Sequence, residues 1–445
     1  MNDNSLLSAW EKTVRRRGDH RAIIEAANGQ GVTFRELEMR ANAWVSRHAS
    51  GAGRLSRRTV VAAMPNGIAW FVTFLGLLKS GAIVVPLDAA EPPAAQRRIA
   101  ESLRAGFLWE GEKIVPLPGA ARTNRADLCL VKLTSGTTGT PRAIHFTAKQ
   151  LLADARQVTS TMGITARDLN YALIPFGHSY GFGNLTIPLL AHGVPLVCGT
   201  SALPHSIAAD FARWNPTVFP GVPAMWRALA ASDITLKNLR LGISAGAPLM
   251  PETAREFAAR FGVRLHNFYG SSETGGIAYD RSGRPTLNGG VGRAMRGVTL
   301  ESLRHSRLKV ASAAVFTHRN PRRQKGIGAW IMADAVAMNS AGELTLQGRR
   351  GQTVKVAGRR VSLSEVAQRL RAIAGVQEVW VGTTTGNEPV LSAVVATKLT
   401  ATELRTALHA DTAAWKIPKK WLTLSALPTT ARGKTDTRAL QALIG

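Results

Sequence analysis

The chain has 445 residues, enough for two to four domains or for one large domain with a smaller companion. Hydrophobic residues make up 45% and charged residues 19%, so the composition excludes an intrinsically disordered protein. Two cysteines exclude a disulfide framework and a multi-cysteine zinc site, and no uninterrupted apolar stretch predicts a membrane span. We therefore expect a folded cytoplasmic protein without a membrane span.

The formal net charge is +27, because 56 lysines and arginines stand against 29 acidic residues. The basic residues are spread along the chain in short clusters, and the sequence has no zinc-finger motif and no RNA-binding aromatic motif. The charge therefore does not favour nucleic acid as the main ligand. We expect instead a basic surface that attracts anionic substrates or an acidic protein partner.

Apolar runs of strand length alternate with amphipathic stretches from about residue 30 to residue 270, which is typical of an α/β architecture. Two helices should begin at capping boxes, one formed by Thr33 with Glu36 and one by Thr147 with Gln150. The predicted buried strands are Thr59–Met64, Ala82–Leu87, Leu128–Leu133, Tyr171–Pro175, Thr217–Pro220 and Leu239–Ser244.

The pattern changes after about residue 285, where glycine and arginine become frequent and short strands with basic loops are expected. From Glu343 the periodicity sharpens into a compact α+β unit of about a hundred residues, with a helix begun by Ser362 and Glu365. Residues 348–351 lie at its entrance, and Gly351 is a plausible hinge.

The stretch LTSGTTGTPRA, residues 133–143, follows a strongly apolar strand and suits phosphate binding. Its glycines let the backbone approach a ligand closely, its hydroxyls and free N–H groups can surround an anion, and Arg142 adds a positive charge. The stretch is not a Walker A loop, because the glycine and lysine of that motif are missing. A flexible connector would have the same composition, so it remains an alternative to a phosphate-binding loop.

Two stretches, GHSYG at 177–181 and GISAG at 242–246, match the G-x-S-x-G nucleophile elbow and make an α/β-hydrolase a rival prediction, with Ser179 as its nucleophile. Two matches cannot both supply the nucleophile. In the second, Pro248 disfavours a helix just where the elbow helix should begin. A simple hydrolase also gives no role to the last hundred residues.

The stretch HNFYGSSETGGIAYD, residues 266–280, places Glu273 among hydroxyls and glycines after Tyr269. Oxygen ligands suit Mg²⁺, which is commonly held by one or two carboxylates together with substrate phosphates. Tyr269 could stack on a base. An ordinary surface turn is the alternative.

Seven motifs in order make the chain resemble the superfamily of adenylate-forming enzymes, which includes acyl-CoA and aryl-CoA ligases, luciferases and the adenylation domains of peptide synthetases. They are TSGTTGTPRA (134–143), PFGHSYG (175–181), SAGAPL (244–249), YGSSETGG (269–276), ADAV (333–336), GRRGQTVKVAGRRVSLSEV (348–366) and LPTTARGKTD (427–436). The resemblance implies an α/β fold with a large N-terminal domain of layered sheets and helices, residues 1–347. A small, mobile C-terminal α+β domain, residues 348–445, would carry the adenylation lysine.

The resemblance also implies roles for individual residues. Lys434 would bridge the carboxylate and the α-phosphate, Glu273 would hold Mg²⁺, and His178 would stand at the wall of the acyl pocket. The residues implied to bind ATP are Thr134, Ser135, Gly136, Thr137, Thr138 and Gly139 around the phosphates, Ala247 and Tyr269 on the adenine, Asp334 with Arg349 at the ribose, and Gly246, Gly270 and Ser272 beside them. Lys355 would guide the incoming thiol in the second half-reaction.

The chain departs from the family pattern at several positions. Arg142 replaces the usual phosphate-loop lysine and keeps the charge with a different geometry, and Gly351 replaces the usual hinge aspartate or lysine. His178 could alternatively be a packed histidine bonded to backbone. No aspartate stands between residues 174 and 188 to pair with a substrate amine, which favours an acyl or aryl acid over an amino acid.

The expected function is that of an ATP- and Mg²⁺-dependent acid–thiol ligase. It would form an acyl-adenylate and pyrophosphate, then transfer the acyl group to the phosphopantetheine thiol of coenzyme A or of an acidic acyl carrier protein. The alternatives are an α/β-hydrolase that uses Ser179 and a basic binding protein that keeps the fold without catalysis. The identity of the acid, the choice between the two acceptors and the oligomeric state stay open at this point.

Overall fold

The structure is a computed structural model, which describes residues 5–49, 54–118, 122–123, 125, 127–134, 142–247, 249–304, 306–316, 328–349, 353–356, 359–385, 388–428 and 437–445. The chain divides into two compact units. The first comprises Met1–Asp88, Ala100–Leu133 and Ala143–Arg350, and the second comprises Ala89–Ile99, Thr134–Arg142 and Gly351–Gly445.

The elements before residue 350 are nineteen described strands and ten described helices. The strands are β1 (Arg21–Glu25), β2 (Gly31–Thr33), β3 (Thr59–Ala63), β4 (Ile83–Leu87), β5 (Phe107–Glu110), β6 (Lys113–Pro116), β7 (Leu128–Thr134), β8 (Arg142–Thr147), β9 (Asn170–Ala172), β10 (Leu196–Cys198), β11 (Val218–Gly221), β12 (Leu241–Ser244), β13 (Leu265–Ser271), β14 (Gly275–Tyr279), β15 (Gly290–Ala294), β16 (Thr299–Leu303), β17 (Arg307–Ala311), β18 (Ala329–Met338) and β19 (Leu344–Arg349). The helices are α1 (Ser5–Arg17), α2 (Phe34–His48), α3 (Ile68–Lys79), α4 (Pro93–Ser102), α5 (Ala148–Met162), α6 (Ser179–Gly181), α7 (Ile187–His192), α8 (Pro204–Trp214), α9 (Pro223–Ala230) and α10 (Pro251–Phe261). A π-helical turn, Phe182–Thr186, joins α6 to α7.

Two large sheets organise these elements. The six-stranded sheet has the order β6-β5-β3-β4-β7-β8, and the thirteen-stranded sheet has the order β16-β17-β18-β19-β15-β14-β13-β12-β11-β9-β10-β1-β2. Strands β1, β10, β9, β11, β12 and β13 pair in parallel, whereas the strands from β13 to β19 pair antiparallel. The predicted α/β class with layered sheets and helices is confirmed.

The strand predicted at Tyr171–Pro175 ends three residues earlier than expected, because the observed strand spans Asn170–Ala172. Beyond it, the side chain of Asn66 replaces the backbone ladder. Its Nδ2 donates to the carbonyl of Ile174 at 2.9 Å, and its Oδ1 accepts from the N–H of Phe176 at 2.8 Å. Pro175 between them has no N–H to contribute to a sheet.

Both predicted capping boxes are present. The hydroxyl of Thr33 accepts from the N–H of Glu36 at 3.1 Å, and the Glu36 carboxylate accepts from the N–H of Thr33 at 2.7 Å. Thr147 and Gln150 make the same reciprocal pair at 3.3 and 2.9 Å at the start of α5. Each box satisfies helix-terminal donors that would otherwise need water.

An aromatic cluster on helix α3 packs against the PFGHSYG segment. Helix α3 is apolar on all sides, and its Trp70 and Phe71 rings lie 5.3 and 5.0 Å from the ring of Phe176. Phe74, one turn further along α3, packs edge-on against Phe182 at 5.6 Å. These buried rings fix both ends of the segment that carries His178 and Ser179, since packed aromatic pairs prefer defined geometries.

The elements after residue 350 form a small α+β arrangement with its own core. Strands β20 (Thr353–Val356) and β21 (Arg359–Ser362) make a two-stranded sheet, and β22 (Val376–Thr383), β23 (Leu391–Thr397) and β24 (Lys420–Leu424) make a three-stranded sheet. The helices are α11 (Leu363–Arg371), α12 (Ala401–His409) and α13 (Thr437–Ile444). The predicted helix start is confirmed, because the N–H of Glu365 donates to the hydroxyl of Ser362 at 3.2 Å.

Among the described residues, no helix is both long and apolar enough to cross a membrane.

Candidate active site

The predicted site residues of the first unit follow neighbouring strands of the thirteen-stranded sheet. Strands β9, β11, β12 and β13 lie side by side and run parallel, so their carboxyl ends share one edge. The segments that follow β9, β12 and β13 carry PFGHSYG, SAGAPL and SSETGG. Ligands of open α/β sheets bind at this edge.

His178 is held by a carboxylate that the sequence did not reveal. Its Nε2 lies 2.8 Å from Oδ2 of Asp88, the residue directly after β4, and the Asp88 side chain is only 9% exposed. The backbone N–H of His178 donates to the carbonyl of Pro175 at 3.1 Å. The imidazole is therefore oriented by a side chain as well as by its own loop. An acidic residue directly after a buried strand was the only available signal for Asp88.

Ser179 begins the short helix α6, as a nucleophile elbow would require, but its partner is not a base. The hydroxyl donates to the hydroxyl of Ser272 at 2.8 Å. In the described ranges it makes no hydrogen bond to a histidine, whereas a serine nucleophile needs an adjacent general base. The bond instead joins the PFGHSYG segment to the SSETGG segment.

The backbone of the Glu273 loop is fixed on both sides. The hydroxyl of Ser271 accepts from the N–H groups of Glu273 and Thr274 at 3.2 and 3.3 Å, and the Glu273 carbonyl accepts from Phe316 N–H at 3.0 Å. Glu273 itself is half-buried. The loop therefore presents one carboxylate on a preorganised turn.

Asp154 on helix α5 anchors the end of the same loop, and no motif of the sequence indicates it. It is 6% exposed, and its Oδ1 accepts from the N–H of Gly276 at 2.9 Å. Burial raises the pKa of Asp154, while the charge of Lys132 and the Gly276 hydrogen bond oppose that shift. Gly275 has a φ of +69°, and a Cβ there would lie 2.3 Å from Oδ1 of Asp154, so this position requires glycine.

Tyr269 and Asp334, which come from two different motifs, meet directly. The phenol of Tyr269 on β13 donates to Oδ2 of Asp334 on β18 at 2.7 Å. Tyr269 is 4% exposed, and Asp334 is half-buried. Ala247 is also half-buried and follows Gly246, whose φ of +91° turns the chain after β12. Asp334 lies opposite the backbone of Arg349 in the ladder between β18 and β19.

Three described site residues belong to the second unit. Thr134 is half-buried at the end of β7, Arg142 is exposed at the start of β8, and Lys355 is half-buried on β20 opposite Arg360. The predicted residues Ser135, Gly136, Thr137, Thr138, Gly139, Gly351 and Lys434 lie outside the described residues, as does the side chain of Arg349.

Glu273 offers one half-buried carboxylate, a hard oxygen donor of the kind that Mg²⁺ prefers. The hydroxyls of the neighbouring Ser271 and Thr274 bond to each other at 3.0 Å. Within the described ranges, no group of three or more histidine, cysteine, aspartate or glutamate side chains could hold a metal ion. A cation held here by one carboxylate would need further oxygens, and substrate phosphates are the usual source.

Comparisons with known proteins agree with this architecture. Over 492 aligned residues, the chain is 25% identical to surfactin synthase subunit 2 of Bacillus subtilis (strain 168). The alignment covers 97% of this chain but 14% of that protein. It is 24% identical to benzoate–CoA ligase of Thauera aromatica, covering 81% of this chain and 79% of that protein. The chain thus spans a small part of the first relative and most of the second.

A solved structure shows the same fold. The amide bond synthetase McbA from Marinactinospora thermotolerans superposes with a TM-score of 0.84 and 20% identity, covering 98% of this chain and 99% of that one. The family model described as AMP-binding enzyme matches residues 10–123 and 107–308, which together make up more than half of the sequence. The chain therefore belongs to the AMP-binding enzyme family.

Proposed function

We propose that this protein activates a carboxylic acid with ATP, forming an acyl-adenylate and pyrophosphate, and then transfers the acyl group to a phosphopantetheine thiol. The observation that carries the proposal is the bond between Tyr269 and Asp334, beside the fixed Glu273 loop and the His178–Asp88 pair. Membership of the AMP-binding family supports ATP as the nucleotide. The thiol would belong to coenzyme A or to an acidic acyl carrier protein.

In this proposal, each described side chain acts on one part of the nucleotide. Asp334, oriented by Tyr269, accepts hydrogen bonds from the ribose hydroxyls, and Ala247 and Tyr269 enclose the adenine. Thr134, Arg142 and the loop residues between them bind the phosphates through hydroxyls, N–H groups and one guanidinium. Glu273 would hold Mg²⁺, which would supply positive charge to offset that of the phosphates.

The acid occupies the region beside His178. Asp88 keeps the imidazole in one orientation, so that His178 forms a wall of defined shape against the reacting carboxylate. The absence of an aspartate between residues 174 and 188 favours an acyl or aryl acid over an amino acid. The name of the related benzoate–CoA ligase supports an aryl acid as one candidate.

We assign residues 1–347 to a nucleotide- and acid-binding domain and residues 348–445 to a lid domain. Lys434 on the lid neutralises negative charge that develops between carboxylate and α-phosphate, because two anions must meet in that step. In the second half-reaction Lys355 would guide the thiol. The strong positive charge of the chain suits a phosphate-bearing or acidic acceptor.

Acid-dependent exchange of radiolabelled pyrophosphate into ATP tests the proposal, using a panel of fatty, aryl and amino acids. We expect exchange with at least one fatty or aryl acid, and none without acid. Lys434→Ala should lower the exchange rate by about 100-fold or more while ATP binding is kept, because the lysine acts on transition-state charge.

Lys398→Ala, at an exposed position after β23, is the matched control and should leave exchange unchanged. Wild-type exchange in Lys434→Ala would refute the role of that lysine. The absence of exchange with every acid in the wild-type protein would refute the proposed function.

A further inference from the structure

A buried lysine on β7 has no part in the proposed function. Lys132 lies on β7, two residues before Thr134, and is 5% exposed. Its Nζ lies 4.7 Å from the ring centroid of Phe146 and 5.6 Å from that of Phe182. The structure gives this ammonium no hydrogen bond and no ion pair within the described ranges. Aromatic faces alone compensate poorly for the loss of water around a buried ammonium.

A buried carboxylate of opposite charge lies near this lysine and is only half satisfied. Oδ1 of Asp154 accepts from Gly276, but Oδ2 has no hydrogen bond to any described residue. No ion-pair contact joins Asp154 to Lys132 among the described side chains. The two charges still influence each other, since burial lowers the pKa of Lys132 while the charges of Asp154 and Glu273 raise it. The pair therefore has one unused donor group and one unused acceptor group.

The pair lies where β7 meets two motif segments. Lys132 lies on β7. A Cβ on Gly183 would lie 3.0 Å from Oδ2 of Asp154, so Asp154 packs against the backbone just after PFGHSYG as well as against the end of SSETGG. Gly183 belongs to the π-helical turn Phe182–Thr186, and such turns are frequent at functional sites. The unused polar atoms thus lie beside the proposed acid-binding region.

The two groups favour a ligand group that both accepts and donates hydrogen bonds. An ammonium only donates hydrogen bonds, and an ionised carboxylate only accepts them. A hydroxyl can accept from Lys132 and donate to Asp154 at once. A second substrate carboxylate would satisfy Lys132 but would be repelled by Asp154 and Glu273, and an apolar group would satisfy neither side chain.

We propose that Lys132 and Asp154 bind a hydroxyl group of the acid, so that the substrate is a hydroxy-substituted acyl or aryl acid. This inference rests on the proposed acid activation and names the class of acid within it. Lys132 and Asp154 are then specificity-determining residues, and they take no part in bond making or breaking.

The test compares pyrophosphate exchange for matched acids: benzoate with 2-, 3- and 4-hydroxybenzoate, and octanoate with 2-, 3- and 8-hydroxyoctanoate. At least one hydroxy acid should exceed its parent by about 100-fold in kcat/KM, because a site built to bond a hydroxyl rejects analogues that lack it. Lys132→Met should reduce this ratio to about 3-fold or less by lowering kcat/KM for the hydroxy acid.

The double variant Lys132→Met with Asp154→Asn guards against misfolding, since it removes both charges and keeps an acceptor for Gly276. It should also lose the preference for the hydroxy acid. Equal kcat/KM for hydroxy and parent acids in the wild-type protein would overturn the inference and leave the proposed function standing. An equal loss for both acids in Lys132→Met and in the double variant would overturn it as well. No exchange with any acid would instead refute the proposed function.

Discussion

Asp88, Asp154 and Ser272 determine how the motif residues are held in place. Asp88 orients His178, Asp154 holds the turn after Glu273, and Ser272 accepts from Ser179. Each pair joins residues that are about 90 or more positions apart in sequence. The motif residues carry the proposed chemical roles, and these partners fix their orientation.

Ser179→Ala separates acid activation from hydrolase chemistry. We expect the variant to keep acid-dependent pyrophosphate exchange within about 5-fold of wild type, since it loses one hydrogen bond between neutral hydroxyls. If Ser179 were a nucleophile, its removal would lower the reaction rate by several orders of magnitude.

Serine-directed labelling with a fluorophosphonate provides the complementary measurement. Ser282→Ala is the control, because Ser282 bonds to Asp280 on another loop. Labelling of Ser179, or ATP-independent ester hydrolysis that disappears in Ser179→Ala, would reverse this assignment.

The residues with chemical roles could be predicted from the sequence to a useful extent, whereas the carboxylates that hold them, Asp88 and Asp154, could not. Tyr269 and Asp334 were named separately from two motifs, and the structure joins them at 2.7 Å. Asp88 carries only the weak signal of following a buried strand, and Asp154 carries no local pattern that distinguishes it from other acidic residues. Only the folded chain brings them near His178 and Gly276, so one sequence without structure could not reveal them.

At the scale of elements, local hydrogen bonding could be predicted and sheet order could not. The capping boxes at Thr33 and Thr147 depend on residues three positions apart, and both are present. The order β11-β9-β10-β1 of the large sheet depends on crossovers between distant segments. The strand predicted at Tyr171 was too long at its carboxyl end, because the apolar run continues through Ile174. There the side chain of Asn66, rather than a neighbouring strand, bonds to the backbone of Ile174 and Phe176.

The turn between β13 and β14 supports a stability prediction. Gly275→Ala must accommodate both a positive φ and a Cβ 2.3 Å from Asp154, whereas Gly262→Ala at the end of α10 meets a similar φ, +68°, with no atom within 4 Å. We expect Gly262→Ala to lower the free energy of unfolding by about 1–2 kcal/mol. Gly275→Ala should lower it by about 1–3 kcal/mol more.

Urea denaturation of the two glycine variants gives the comparison, and pyrophosphate exchange shows its functional effect. Folded Gly275→Ala should also exchange more slowly than Gly262→Ala, because the Glu273 loop must shift. Equal stabilities would mean that Asp154 does not constrain this turn.

At the scale of the whole molecule, the basic charge and the separate C-terminal α+β elements could be predicted from the sequence. The segment Ala89–Ile99 could not be assigned in this way, since its contacts place it in the same compact unit as Gly351–Gly445. Contacts between distant segments decide that assignment, and they leave no periodic signal in the sequence.

A hinge at Gly351 predicts unequal effects on the two half-reactions. Proline fixes φ near −65° and removes the N–H, so Gly351→Pro can satisfy at most one of two backbone states. We expect thioester formation to slow by at least about 10-fold more than pyrophosphate exchange. Gly351→Ala is the control and should affect both steps less. Equal, small effects of Gly351→Pro on exchange and thioester formation would remove the support for a rotation at this residue.

If the acid is activated as an acyl-adenylate, one of its carboxylate oxygens is transferred to AMP, and isotope labelling can follow that oxygen. The wild-type protein would be given ATP, coenzyme A or a carrier protein, and an accepted acid labelled with ¹⁸O in the carboxylate. Attack of the carboxylate on the α-phosphate predicts one ¹⁸O atom in AMP per thioester formed and unlabelled pyrophosphate, as measured by mass spectrometry. Release of ADP with ¹⁸O in inorganic phosphate, or AMP without label, would refute activation of the acid as an acyl-adenylate.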